Sequence, residues 1–103
     1  MAKAMAGDAV SVDPRRYSVQ AEDERVRVVR VHYEVGDKSE MHSHPDLVAV
    51  FLSENHTRFT YPDGRTEEVH GMPGQAQLMP AMTHLPENIG NGPMDLVLVE
   101  FKK

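Results

Sequence analysis

Apolar and polar residues alternate over short stretches along most of the chain, and turn-forming residues separate these stretches. Alternation with a period of two is typical of β-strands, whose successive side chains point to opposite faces of a sheet. No long stretch shows the period of an amphipathic helix. The pattern predicts strands over residues 17–21, 24–35, 47–52, 56–61, 65–69, 74–79, 84–89 and 96–101.

The parity of the apolar positions changes within residues 24–35. Val26 and Val28 share one parity, whereas Val29, Val31 and later apolar residues share the other. Such a change predicts either a β-bulge or a strand that is covered on both faces.

Clusters of glycine, proline, asparagine and aspartate mark the turns. They are Gly36-Asp37, Pro62-Asp63-Gly64 and Gly90-Asn91-Gly92-Pro93. Proline presets the φ angle that a turn needs, and glycine accepts a positive φ. Many short strands joined in this way predict a small all-β barrel or sandwich with almost no helix.

Length and composition predict one domain and narrow the available chemistry. A chain of 103 residues can bury one core, which we assign to residues 15–103, and residues 1–14 are predicted to form a flexible N-terminal arm or an edge strand. The absence of cysteine excludes disulfides and thiolate ligands, so imidazole and carboxylate groups remain for metal binding.

Charge and hydropathy limit the expected partners. A net charge of -5 provides no basic surface for nucleic acid. No stretch approaches the roughly 20 apolar residues of a membrane span, and the N-terminus lacks the apolar core of a signal peptide. The sequence therefore predicts a cytoplasmic protein that binds neither nucleic acid nor membranes.

The most informative motif is His42-Ser43-His44, which is followed forty residues later by His84. Two histidines separated by one residue on a strand point to the same face, so their imidazoles can bind one ion. Glu40 shares their parity and is a candidate ligand, hydrogen-bond acceptor for an imidazole, or general base, unless it faces solvent.

These residues resemble the first motif of the cupin superfamily, in which a glycine is followed after five residues by His-x-His and then by a glutamate. Gly36, His42 and His44 match this motif. The glutamate position falls on Val48, or on Ala49 with the longer spacing. The chain therefore lacks the acidic ligand of the family.

The second cupin motif is also present in part. Gly74 and Pro80 match its first half, and His84 and Asn88 match its second half. Met82 stands where the family has a glycine, two residues before the histidine. The resemblance covers residues 24–102 and implies a double-stranded β-helix, or jelly roll.

The resemblance implies that His42, His44 and His84 bind a divalent metal ion, namely Fe(II), Zn(II), Mn(II) or Ni(II). Such three-histidine sites occur in cupins related to thiol dioxygenases and acetylacetone dioxygenase. Val48, Val50 and Met82 are predicted to form the pocket wall, and Met82 should narrow the barrel mouth.

The function expected from this resemblance is that of a metal-dependent enzyme acting on a small organic molecule, of the dioxygenase or isomerase type. The alternatives are a non-catalytic ligand-binding or sensor cupin and a metal-free jelly roll that keeps its histidines as relics. A homodimer is expected, because the strand edges of so small a jelly roll need cover.

Overall fold

A computed structural model describes residues 7–102 and confirms the all-β prediction. This part of the chain has no helix that could cross a membrane. Its elements are α1 (Ala9–Val12), β1 (Tyr17–Glu22), β2 (Val26–Tyr33), β3 (His42–His44), β4 (Leu47–Phe51), β5 (Asn55–Thr60), β6 (Thr66–Gly71), β7 (Ala76–Met79), β8 (Met82–Asn88) and β9 (Met94–Phe101).

Two antiparallel sheets face each other. One has the strand order β1-β2-β9-β4-β7 and the other the order β3-β8-β5-β6. Residues alternate between buried and partly buried along β4, β5 and β9, as expected when one face of each sheet covers the core. The core between the sheets includes Tyr17, Val29, Val31, Tyr33, Leu47, Ala49, Phe51, Met94, Leu96 and Leu98.

The change of parity within residues 24–35 has a simple structural cause. β2 pairs with β9 without interruption from Val26 to Tyr33, so β2 itself has no bulge. Val28 lies on the outer face of the sheet and is half-buried there, next to Val99. A register shift is present instead in β1, between Val19 and Ala21. Neither alternative describes β2 in full: its outer face is partly covered at Val26 and Val28, whereas Arg30 and His32 on the same face are exposed.

Residues 7–14 belong to the segment predicted to be a flexible N-terminal arm or an edge strand, and they contain a one-turn helix and a single parallel bridge from Asp8 to Ser43. The one-turn helix α1 begins after Asp8, whose side chain accepts a hydrogen bond from the Ser11 backbone N–H. Ala9 is fully buried in the core, and the Ser43 N–H donates to the Gly7 carbonyl at 2.8 Å. This segment is therefore docked against β3 of its own chain, while residues 1–6 lie outside the described residues.

Gly71, the last residue of β6, lies against the ring of the buried Phe51. A Cβ atom at position 71 would lie 2.5, 2.6 and 2.7 Å from three carbons of that ring. We expect Gly71→Ala to lower the free energy of unfolding by about 1–3 kcal/mol, because the packed ring must move. Gly92→Ala is the control, since a Cβ there meets nothing within 4 Å. Equal urea midpoints for the two variants would contradict this expectation.

Candidate metal centre

Strands β3 and β8 bring the three predicted histidines together. His42 is directly opposite His84 in the antiparallel pairing of the two strands, and His44 lies two residues further along β3. The ring centroids are 4.8 Å apart for His42 and His44, 5.0 Å for His42 and His84, and 5.2 Å for His44 and His84. Period-two alternation therefore places all three rings on the inner face of the sheet.

One nitrogen from each ring forms a compact group. These ligand atoms lie within 4.8 Å of one another. Metal–nitrogen bonds of about 2.1 Å would hold them closer still, so binding an ion would draw the rings together.

Two of the rings lack any hydrogen-bond partner. Both nitrogens of His42 and both nitrogens of His84 are buried, and none makes a hydrogen bond within the described residues. A buried polar group without a partner costs about 1–3 kcal/mol. A metal ion bound by one nitrogen of each ring would remove part of this cost. The donor set therefore fits a divalent cation.

The same rings are held in the form that binds metal. Burial, together with the adjacent His44, lowers the pKa of His42 to about 4. Burial is also the main cause that lowers the pKa of His84 to about 2, and His44 and His42 add to it. Both imidazoles are therefore neutral near pH 7, so each keeps a free lone pair for a cation.

A carboxylate that the sequence analysis did not identify contacts the third ring. Nδ1 of His44 lies 2.9 Å from a carboxylate oxygen of Glu100, and both side chains are buried. Burial raises the pKa of the Glu100 carboxyl, but hydrogen bonds from His44 and Arg27 outweigh it and hold the pKa below its usual value. A signal was present in the sequence, because Glu100 shares the parity of the core residues Leu96 and Leu98 on β9.

Of the alternatives left open for Glu40, the structure shows the solvent-facing one. Glu40 is exposed, lies before β3 begins, and is not part of the histidine group. Its shared parity with His42 has no consequence, because alternation holds only within a strand and Glu40 is outside one. The acidic group next to the site is Glu100.

A mostly apolar cavity of about 50 Å³ adjoins His44 and His84 between the two sheets. Met82, predicted as pocket wall, lines it. Tyr17 and Tyr33 also line the cavity, and their hydroxyls lie 2.6 Å apart in a hydrogen bond. Other residues that line the cavity include Asn55, Thr57, Phe59, Val69, Met79, Pro86 and Met94.

The structure corrects the prediction for Val48 and Val50. Both are half-buried, and neither lines the cavity. Leu47, Ala49 and Phe51 of the same strand line it instead. The prediction carried the parity of β3 into β4, but these strands belong to different sheets, and parity is not conserved where the chain changes sheet.

Two aromatic rings contact the histidines from the side. The ring centroid of Phe59 lies 4.2 Å from that of His84, and that of Tyr17 lies 5.0 Å from that of His42. Such contacts restrict rotation of the imidazoles and keep the site apolar outside the ligand atoms.

Solved structures with a similar fold include several cupins. A cupin domain from Bordetella pertussis Tohama I has a TM-score of 0.78 and 21% identity, with 99% of this chain and 100% of that chain covered. An RmlC-like cupin family protein with a double-stranded β-helix fold, from Methanocaldococcus jannaschii, has a TM-score of 0.63 and 15% identity, with 86% and 83% covered. The polyketide cyclase RemF from Streptomyces resistomycificus has a TM-score of 0.61 and 19% identity, with 84% and 64% covered.

No protein-family model matches the sequence, and no curated protein matches it significantly. The structural likeness nevertheless covers almost the whole chain. It confirms the predicted jelly roll as the fold of this protein.

Proposed function

We propose that this chain, which has the cupin fold, is a metal-dependent enzyme that acts on a small organic molecule. The observation that carries the proposal is the buried group of His42, His44 and His84, in which two rings have no hydrogen-bond partner. A purely structural histidine cluster would be expected to satisfy its buried nitrogens within the protein.

His42, His44 and His84 would hold the ion, and Fe(II), Zn(II), Mn(II) and Ni(II) all accept imidazole ligands. A bound ion would supply Lewis acidity, which polarises an oxygen of the substrate or acidifies a bound water. Three neutral imidazoles leave the double positive charge of the ion uncompensated by its ligands, which favours an anionic or enolisable substrate.

The cavity residues support a small substrate with an apolar body. The volume of about 50 Å³ is well below that of most ligand pockets, and Met82 contributes to its wall. The lining is mostly apolar, and the hydrogen-bonded hydroxyls of Tyr17 and Tyr33 add a polar group at one side. The polyketide cyclase among the fold neighbours supports an enzymatic role on a small organic substrate. A cytoplasmic location and a homodimer stay predictions.

The proposal is tested by turnover. We expect the untagged protein, loaded in turn with Fe(II), Mn(II), Ni(II) or Zn(II), to convert at least one member of a panel of diketones, thiols and hydroxy acids. Oxygen uptake detects a dioxygenase, and product analysis by mass spectrometry detects an isomerase. His84→Ala is the inactive control, since it removes the one proposed ligand that lies on β8.

The sensor alternative predicts another result in the same assays. A panel member would then raise the melting temperature of the metal-loaded protein reversibly, with no product formed. That outcome would replace the enzymatic proposal with a binding function of the same site. Metal-free protein that binds neither cation nor panel member would overturn both.

A further inference from the structure

Glu100 is a buried acidic residue with both carboxylate oxygens occupied. It is 2% exposed and lies on β9, in the sheet opposite β3. One oxygen is 2.9 Å from Nδ1 of His44. The other accepts from Arg27, at 2.7 Å from Nη2 and 3.0 Å from Nε. A buried carboxylate in a β-sandwich core is costly unless it is paired in this way.

Arg27 also binds a second carboxylate besides Glu100. Its Nη2 also donates to the carboxylate of Asp8, the residue that precedes α1. The backbone of Asp8 forms a parallel bridge with Ser43, which lies between the two histidines of β3. The chain His44–Glu100–Arg27–Asp8 therefore begins on the histidine strand and returns to it.

We infer that Glu100 is a positioning residue of the metal centre, which holds His44 with Nδ1 protonated and Nε2 free to bind the ion. The inference rests on the proposed metal site and deepens it. An ionised carboxylate can only accept a hydrogen bond, so the His44 nitrogen that faces Glu100 must carry the proton. The ligand atom of His44 is then Nε2, and the ring cannot present the other tautomer.

Glu100 also supplies the negative charge that the ligands lack. Val48, at the motif position of the acidic ligand, is turned away from the cavity. The chain of Glu100, Arg27 and Asp8 contains one more acidic than basic group. Its net negative charge would lie next to a bound ion and not among the ligands. A carboxylate that hydrogen-bonds to a ligating histidine increases the basicity of that histidine and fixes its orientation.

An isosteric substitution separates this role from simple packing. Arg27 can only donate hydrogen bonds, so in Glu100→Gln it pairs with the carbonyl oxygen of the amide. The amide NH₂ then faces Nδ1 of His44 and favours the tautomer with the proton on Nε2, which cannot bind metal. We expect a loss of about 10- to 100-fold in Zn(II) affinity, measured by competition with a chromophoric chelator.

Asp95→Asn is the matched control. Asp95 also hydrogen-bonds a histidine and an arginine, at 2.8 Å from His32 and 2.9 Å from Arg30. This triad is exposed and lies outside the metal centre. The control should bind Zn(II) within about two-fold of the wild type.

The tautomer of His44 is read directly in the metal-free protein by long-range ¹H–¹⁵N spectra, with His44→Asn used for assignment. We expect the Nδ1–H form in the wild type and the Nε2–H form in Glu100→Gln. An unchanged tautomer or an unchanged Zn(II) affinity in Glu100→Gln would overturn the inference. A wild type that shows the Nδ1–H form yet binds no metal would overturn the proposed function and leave the role of Glu100 in orienting His44 standing.

A double variant distinguishes a change of tautomer from misfolding of Glu100→Gln. Adding Arg27→Met releases the amide carbonyl, which can then turn to accept the proton of His44 Nδ1. The double variant should regain the wild-type tautomer and bind Zn(II) several-fold more tightly than Glu100→Gln. Persistence of the Nε2–H form in the double variant would also overturn the inference.

Discussion

His84→Ala is expected to lower the affinity for Zn(II) by about 100- to 1000-fold, the largest effect on binding of any single substitution considered for this protein. Structural zinc sites with four ligands bind with about 10–16 kcal/mol, so each ligand contributes about 3 kcal/mol. His84 is the only ligand that β8 contributes. Without it, the ion keeps two imidazoles from one three-residue strand.

The measurement is the metal content of untagged protein after dialysis, together with a competition titration. His70→Ala is the control, because the side chain of His70 is 61% exposed and stacks on His56 away from the cavity. The wild type and the control should each hold close to one equivalent. A full equivalent in His84→Ala, or less than a few tenths in the wild type, would contradict the site.

The strand pattern could be predicted from the sequence because one face of most strands is covered and the other is open. β5 and β9 alternate in burial along their whole length. The convergence of His42 and His84 also follows from two half-motifs on neighbouring strands. These features are local, since each depends on the alternation within one strand or one pair.

The pocket wall could not be predicted in the same way. The run from Leu47 to Leu52 is apolar at every position, so its pattern does not distinguish the inner face from the outer one. Val48 is half-buried because Leu78 and Val99 flank it on the outer face of the sheet. Only the tertiary arrangement reveals that the other parity faces the cavity.

Glu100 shows where the sequence held a signal that was not used. A charged residue on the parity of Leu96 and Leu98 has to enter the core, and it can do so only with partners. Those partners are Arg27 on β2 and His44 on β3. Both are more than fifty residues away in the sequence, so no local pattern could identify them.

The metal-free protein is expected to lose stability steeply as the pH falls below about 6.5. The pKa values of His42 and His84 are lowered, mainly by burial, from 6.5 to about 4 and about 2. The unfolded chain therefore takes up protons that the folded chain does not. Their stabilising contribution is complete above pH 6.5. That of His42 is lost as the pH falls to about 4, and that of His84 continues to decline to about 2.

The size of this effect can be stated per proton. Each histidine that stays neutral in the folded state costs about 1.4 kcal/mol of stability for each pH unit below its unfolded pKa. The two together give a slope of about 3 kcal/mol per pH unit, which over two units is comparable with the 5–15 kcal/mol that stabilises a typical domain. Urea unfolding in the presence of a chelator at pH 7, 6 and 5 measures the slope.

His84→Leu tests whether this slope originates at the metal centre. Leucine fills a similar volume and does not titrate, so the variant should show about half the wild-type slope between pH 6 and pH 5. The exposed His32 has a pKa raised by its hydrogen bonds to Glu34 and Asp95 and acts in the opposite direction. It is present in both proteins, so its contribution cancels in the comparison. Equal slopes would show that His84 takes up its proton in the folded state, and the ring would then be neither as buried nor as unpartnered as the centre requires.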